Sequence, residues 1–140
     1  ELEVAGEVAP GINLSASYAL VDAEDSDGTQ LNTSYPRQQA KVYATWQLPG
    51  DWSRLTLGAG GTWQGDTYKE TDTPTGTAKV GQGDVFLANA MARYRFNDNF
   101  STQLNVSNLF DEEYYTQQGF YSQYLYGAPR SALLSMTYDF

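Results

Sequence analysis

Cysteine and histidine are both absent from the 140 residues of this sequence. Without cysteine these residues hold no disulfide framework, no thiolate zinc site and no cysteine nucleophile. Without histidine they cannot build the Ser-His-Asp arrangement of hydrolases or most zinc and iron catalytic centres. Basic residues are scarce: 8 Lys+Arg stand against 17 Asp+Glu, a net charge of −9, which argues against nucleic acid or anionic phosphate surfaces as partners. No apolar run reaches the roughly 18 to 20 residues of a membrane-spanning helix, and mean hydropathy is −0.51. That value excludes little, because a strand with one face in lipid needs apolar residues only at alternate positions over about 10 residues. No secretory signal opens the chain at Glu1-Leu2-Glu3-Val4. Since this start already alternates like a strand, it is expected to be a truncation point.

What is present favours strands: the aromatic share is 14% and glycine supplies 13 residues, a mixture suited to sheets and aromatic belts rather than helices. Seven stretches alternate with period two, each with its apolar set on one face. The first places Leu2, Val4 and Val8 opposite Glu1, Glu3 and Glu7, and the second Leu14, Ala16, Tyr18 and Leu20 opposite Asn13, Ser15 and Ser17. In the third, Ala40, Val42, Ala44, Trp46 and Leu48 alternate with Lys41, Tyr43, Thr45 and Gln47. The fourth sets Leu55, Leu57, Ala59 and Trp63 against Arg54, Thr56, Thr62 and Gln64, and the fifth Phe86 to Phe96 against Asn89, Arg93 and Arg95. The sixth has Phe100, Leu104 and Val106 on one face, and the last Ala132, Leu134, Met136, Tyr138 and Phe140. These patterns predict an all-β antiparallel meander of seven strands near 1–9, 12–22, 38–49, 53–66, 84–96, 100–110 and 130–140, with essentially no helix.

The connections alternate in length. Three are tight and carry turn chemistry, at Ala9-Pro10-Gly11, Pro49-Gly50-Asp51 and Asn97-Asp98-Asn99. Three are long and polar, over 23–36, 66–83 and 111–129. Short turns on one side and long loops on the other suit an outer-membrane barrel, with the turns in the periplasm and the loops outside. Short alternating strands also occur in a soluble β-sandwich or a lipocalin. Against that alternative, Trp46, Trp52, Tyr94, Phe96, Phe100, Tyr138 and Phe140 all lie beside the short turns or the terminus, as an interfacial girdle would. Single-chain bacterial barrels have an even strand number and both termini in the periplasm. Seven strands ending at a periplasmic Phe140 would put Glu1 outside, so at least one strand is expected to be missing. Seven is also below the roughly eight strands that close a barrel.

Two motifs are specific. Asn105-Val106-Ser107-Asn108-Leu109-Phe110-Asp111-Glu112-Glu113-Tyr114-Tyr115, followed by Tyr126-Gly127-Ala128-Pro129-Arg130 and a last strand closing on Phe140, resembles the end of TonB-dependent receptors. The stretch Leu48-Pro49-Gly50-Asp51-Trp52-Ser53-Arg54-Leu55-Thr56-Leu57-Gly58, with Tyr35-Pro36-Arg37, is similar to the siderophore branch of that family, alongside receptors for ferric pyoverdine, coprogen and ferrioxamine. The resemblance covers essentially all of residues 1–140. It implies that they are the C-terminal part of a 22-stranded transmembrane barrel whose plug domain, TonB box and earlier strands lie elsewhere. It implies a bacterial outer-membrane transporter, not an enzyme, that takes up a ferric siderophore with energy from the TonB complex, and it implies no cofactor in this segment. A soluble β-sandwich binding module, a porin and an outer-membrane enzyme remain the alternatives, and the enzyme would need the histidine that is missing.

Within the motif, Asn108 and Asp111 can bond the backbone as it leaves the ladder while Phe110 anchors at the interface, and Pro129 is tolerated at a strand start. The acidic loop Asp22-Ala23-Glu24-Asp25-Ser26-Asp27-Gly28 fails as a calcium loop: with Gly28 sixth, Ala23 would stand first and Ser34 twelfth, so two ligands are absent. Glu112 and Glu113 would point to opposite faces of a strand and do not form a catalytic pair. Inward-facing Arg37, Arg54, Arg93, Arg95 and Arg130 are expected to pair with plug carboxylates. The 111–129 loop concentrates Tyr114, Tyr115, Phe120, Tyr121, Tyr124 and Tyr126. Of these, Phe120, Tyr121 and Tyr124 are the expected ligand-binding rings, with self-packing of the loop as the alternative. Leu134, Met136, Tyr138 and Phe140 are the expected signal for the barrel-assembly machinery, on a strand whose other role is a lipid-facing closing row.

Overall fold

A computed structural model describes residues 1–31, 33–118 and 124–140. Seven strands pair into one antiparallel meander: β1 (Leu2–Ala9), β2 (Ile12–Leu20), β3 (Gln38–Gln47), β4 (Leu55–Gln64), β7 (Val85–Arg95), β8 (Phe100–Ser107) and β11 (Ser131–Tyr138). Every expected strand is present, each within a few residues of its sequence boundaries. The regular helix content of the described residues is a single 3-10 turn at Gly50–Trp52 in one of the tight connections.

Two elements were not legible. The long connections contain hairpins of their own, β5 (Thr67–Thr73) with β6 (Gly76–Gln82) and β9 (Tyr115–Gln118) with β10 (Tyr124–Tyr126). The first turns through Pro74-Thr75, with the Thr73 hydroxyl donating to the Gly76 carbonyl at 2.5 Å. Neither hairpin has an apolar face, so neither carries the period-two signal on which the seven main strands were identified.

The register aligns the side chains into rows across the sheet. Leu2, Tyr18, Ala40, Trp63 and Phe86 lie side by side, and Gly6, Leu14, Ala44, Ala59, Ala90, Val106 and Ala132 form a second row on the same face. Ile12, Trp46, Leu57, Ala92, Leu104 and Leu134 make a third. On the opposite face the rows read Ala5, Ser15, Tyr43, Gly60, Asn89 and, nearer the short turns, Gln47, Thr56, Arg93, Gln103, Ser135. A shift of one residue at any strand would break every row that crosses it, so the binary pattern fixes the register.

Little of this is buried. Val85 and Ala88 are the buried apolar residues of the described chain, while Leu2, Val4, Trp46, Phe86, Leu134 and Met136 are all exposed. A water-soluble sandwich would cover such a face with a second layer. Here none of the described elements packs on it. Aromatic residues border the apolar face at both ends. At the short-turn end Tyr94 meets Phe96 edge-to-face and Phe96 stacks on Phe100, with ring centroids 4.8 and 5.2 Å apart, and Tyr18, Trp63 and Phe86 mark the long-loop end. From Leu55 to Trp63 the strand runs about 26 Å at roughly 3.3 Å per residue. Tilted by about 40°, that covers about 20 Å along the membrane normal, most of the apolar band of about 25 Å on barrels.

Candidate functional site

The three long connections lie at one end of the sheet and are joined to one another. In the first, Asp25 Oδ1 accepts hydrogen bonds from the backbone of Asp27 at 2.9 Å and Thr29 at 2.8 Å. The acidic loop therefore closes on its own amides, and no group of three or more acidic residues suited to a metal ion exists among the described residues. The Tyr68 amide donates to the Thr33 carbonyl at 2.8 Å, tying the β5–β6 hairpin to that loop. At the same end of the hairpin, on its other strand, Gln82 Nε2 donates to the Tyr115 carbonyl at 2.7 Å and Gln82 Oε1 accepts from the Tyr115 amide at 2.8 Å. One side chain thus mimics a ladder rung between β6 and β9.

The stretch Asn108 to Asp111 works as a clamp at the foot of the last loop. Asn108 and Asp111 have φ of 50° and 58°, a backbone region that asparagine and aspartate enter more readily than most residues. Asn108 is buried. Its Nδ2 donates to the carbonyls of Glu112 at 2.9 Å and Ala128 at 3.1 Å, and its Oδ1 accepts from the Glu112 amide at 2.8 Å. Asp111 Oδ1 accepts from the Arg130 amide at 2.7 Å, and its other oxygen lies 3.8 Å from the Arg130 guanidinium. Outgoing and returning chains are thereby fastened together. Phe110 stays 68% exposed, as an interfacial anchor requires. Residues 111–114 are not in a strand, so Glu112 and Glu113 do not diverge across a sheet as expected; with Asp111 and Tyr114 they line one cavity of about 410 Å³. Gly127 sits against the Tyr114 ring, where any Cβ would collide.

Above the clamp stands a cluster of tyrosines. The Tyr115 ring lies 4.7 Å from that of Tyr124 and 4.8 Å from that of Tyr126, and its hydroxyl is 3.5 Å from the Tyr126 hydroxyl. The Tyr126 hydroxyl bonded to it holds the Tyr115 phenol above its ordinary range, helped by the charge of Tyr126 itself. Tyr115 therefore stays a neutral phenol at physiological pH, able to donate or accept a hydrogen bond. Of the three expected ligand-binding rings, Tyr124 belongs to this cluster, while Phe120 and Tyr121 lie outside the described residues. Tyr115, which is not among the expected ligand-binding rings, is the centre of it. The cross-strand pairing of Tyr115 with Tyr126 brings them together, and no linear spacing announces that pairing.

The expected arginine roles divide. Arg37 is bound to Asp22 at 2.6 Å. Arg130 pairs with Asp111, and Arg54 donates to the Phe96 carbonyl at 2.9 Å. Arg93 and Arg95, which share a recess of about 170 Å³ with Arg54 on the polar face, have no carboxylate within ion-pair distance among the described residues. At the other edge, Leu134, Met136 and Tyr138 project from the apolar face of β11, and Phe140 is fully exposed with its ring 5.4 Å from that of Tyr138.

Residues 1–109 match the family described as TonB dependent receptor-like, beta-barrel. Over its full length the chain is 38% identical to the ferric-pyoverdine 358 receptor of Pseudomonas putida and 37% identical to the ferripyoverdine receptor of Pseudomonas aeruginosa. It spans 17% of the length of each of these relatives. The crystal structure of the ferripyoverdine receptor of the outer membrane of Pseudomonas aeruginosa, bound to ferripyoverdine, superposes with a TM-score of 0.92 at 36% identity, over 99% of this chain and 19% of that one.

Proposed function

Because this chain belongs to the TonB dependent receptor-like β-barrel family, we propose that it is a seven-strand section of an outer-membrane receptor that imports a ferric siderophore with energy from the TonB complex. The observation that carries this reading is the two-faced sheet: an exposed apolar face bordered by aromatics at both ends, backed by a polar face. Such a surface is stable against lipid on one side and a water-filled or plugged lumen on the other. The remaining strands of a 22-stranded barrel, the plug domain and the TonB box then lie in parts of the receptor outside residues 1–140. Arg54, Arg93 and Arg95 face that lumen and suit carboxylates of the plug.

The ligand side follows from the loop end. A ferric siderophore is a preformed chelate, so its receptor needs flat, amphipathic surfaces and neutral hydrogen-bonding groups rather than iron ligands. Tyr115, Tyr124 and Tyr126 supply these, and Phe120 and Tyr121 extend the same loop. The identity to ferric-pyoverdine receptors favours a pyoverdine-type chelate. With the purified full-length receptor, ferric pyoverdine should bind and quench intrinsic fluorescence. Replacing Phe120, Tyr121 and Tyr124 by alanine should weaken binding by about 1 kcal/mol per contacting ring. Failure of the unmodified receptor to bind any ferric siderophore would remove the substrate assignment, and unchanged affinity in the triple variant would remove only the loop's part in it. Leu134, Met136, Tyr138 and Phe140 complete the proposal as the edge that the barrel-assembly machinery engages.

A further inference from the structure

Trp63 divides two cavities of opposite character. Toward the long loops it lines a polar cavity of about 380 Å³, which also takes in Tyr35, Gln38, Asp66, Tyr68 and Asp84. Toward the middle of the sheet it lines an apolar groove of about 310 Å³ with Leu2, Val4, Tyr18, Val42 and Phe86. Both lie on the same face, since Trp63 stands in the row Leu2, Tyr18, Ala40, Trp63, Phe86. Phe86 can fold down onto β4 because Gly61 has no side chain: a Cβ there would stand 2.5 Å from the ring. The Trp63 indole N–H donates to Asp84 at 3.3 Å, and the Tyr18 hydroxyl donates to Gln38 at 3.1 Å. The ring is thus held at the boundary by a polar group above it.

We propose that this boundary is a seat for one sugar-headed lipid of the outer leaflet, its head in the polar cavity and one acyl chain along the groove. The proposal rests on the transmembrane reading above, which puts this face in the bilayer and the cavity at headgroup level. The charge of the cavity selects the head. Arg37, the cation on its wall, is already bound to Asp22 at 2.6 Å. The carboxylates of Asp66 and Asp84 are left to repel a phosphate and to accept hydrogen bonds from hydroxyls. Tyr35, Trp63 and Tyr68 line the cavity, and aromatic rings are surfaces on which a pyranose can stack. The Lys79 ammonium lies over the Tyr68 ring, 3.3 Å from its centroid. A sugar with several hydroxyls matches this combination better than an anionic head does.

The test uses the full-length receptor in phosphatidylcholine nanodiscs doped with either a monoglucosyl diacylglycerol or phosphatidylglycerol of the same chains. Native mass spectrometry counts the lipid retained on release. One glucolipid per receptor is expected, held at least about fivefold better than phosphatidylglycerol, with that preference lost in Asp84→Asn and in Trp63→Ala. Asp84→Asn keeps the shape of the side chain, so it reports on the seat even where Trp63→Ala perturbs folding. Equal retention of both lipids, or a preference unchanged in Asp84→Asn, would overturn the seat while leaving the barrel intact. A receptor that does not enter the nanodiscs at all would overturn the transmembrane reading and the seat with it.

Discussion

The Asn108 side chain makes three hydrogen bonds to backbone groups from both arms of the last loop, and its own backbone adopts a positive φ. Removing it takes the shared partner from the Glu112 and Ala128 carbonyls and the Glu112 amide, three bonds at once, so the cost exceeds that of one exposed hydrogen bond. In the full-length receptor, Asn108→Ala should destabilise the closed loop by about 2 kcal/mol. Hydrogen exchange at the Glu112 amide, which donates to Asn108, is the direct measurement. Asn108→Gly separates the contributions: it accepts the positive φ but makes none of the bonds, so exchange close to that of Asn108→Ala is expected. Slow, unmodified exchange in the glycine variant would mean that the backbone conformation, and not the side chain, holds the loop. The polar contacts of Asn108 and Asp111 were foreseen from residue chemistry, since short polar side chains bond nearby backbone where a strand ends. The Ala128 contact was not, because it depends on how a loop of some twenty residues returns.

At the level of elements, the seven main strands were readable because each has one apolar face, and the period of two survives even where Thr102 interrupts that face beside Tyr94 and Met136. The two hairpins were hidden for the converse reason. Thr67 to Thr73 and Gly76 to Gln82 alternate among polar residues, and only the Pro74-Thr75-Gly76 punctuation hinted at a turn. The candidate site inherits this limit: its rings were countable in the sequence, but which of them touch is decided by β9 and β10 pairing. Gln82 then matters beyond its own hairpin, because its two bonds to the Tyr115 backbone transmit the position of β6 to the tyrosine cluster. Gln82→Ala should accelerate exchange of the Tyr115 amide about tenfold and loosen the cluster, weakening ferric-siderophore binding by about 1 kcal/mol, with the seven-strand sheet unaffected. A Tyr115 amide as protected as before would show that the β9–β10 hairpin stands without that support.

Across the whole molecule, the two faces of the sheet impose opposite solvents, and this was legible from the alternation alone because no side chain needed placing beyond its parity. What parity cannot supply is the state of the edges. β1 and β11 each pair with one neighbour among the described strands, which leaves a row of backbone donors and acceptors on each. In lipid such a row must find a partner strand, so an edge that enters the membrane before the barrel closes has to be held by another sheet meanwhile. β11 is suited to that role. Its apolar face carries Leu134, Met136 and Tyr138 in the open, and Phe140 extends past the end of the strand with its ring packed edge-on against Tyr138. An aromatic ring just past the strand offers an anchor to an accepting strand while the backbone of β11 adds to it by β-augmentation. Deleting Phe140 from the full-length receptor should slow insertion severalfold and lower outer-membrane levels, whereas Phe140→Trp, which keeps an aromatic ring beside Tyr138, should restore both. Pulse-labelled appearance of the folded, protease-resistant receptor distinguishes slow insertion from poor synthesis. If the deletion variant inserts as fast as the unmodified receptor, Phe140 is only the last member of the lipid-facing row, and recognition of the edge must rest on Leu134, Met136 and Tyr138.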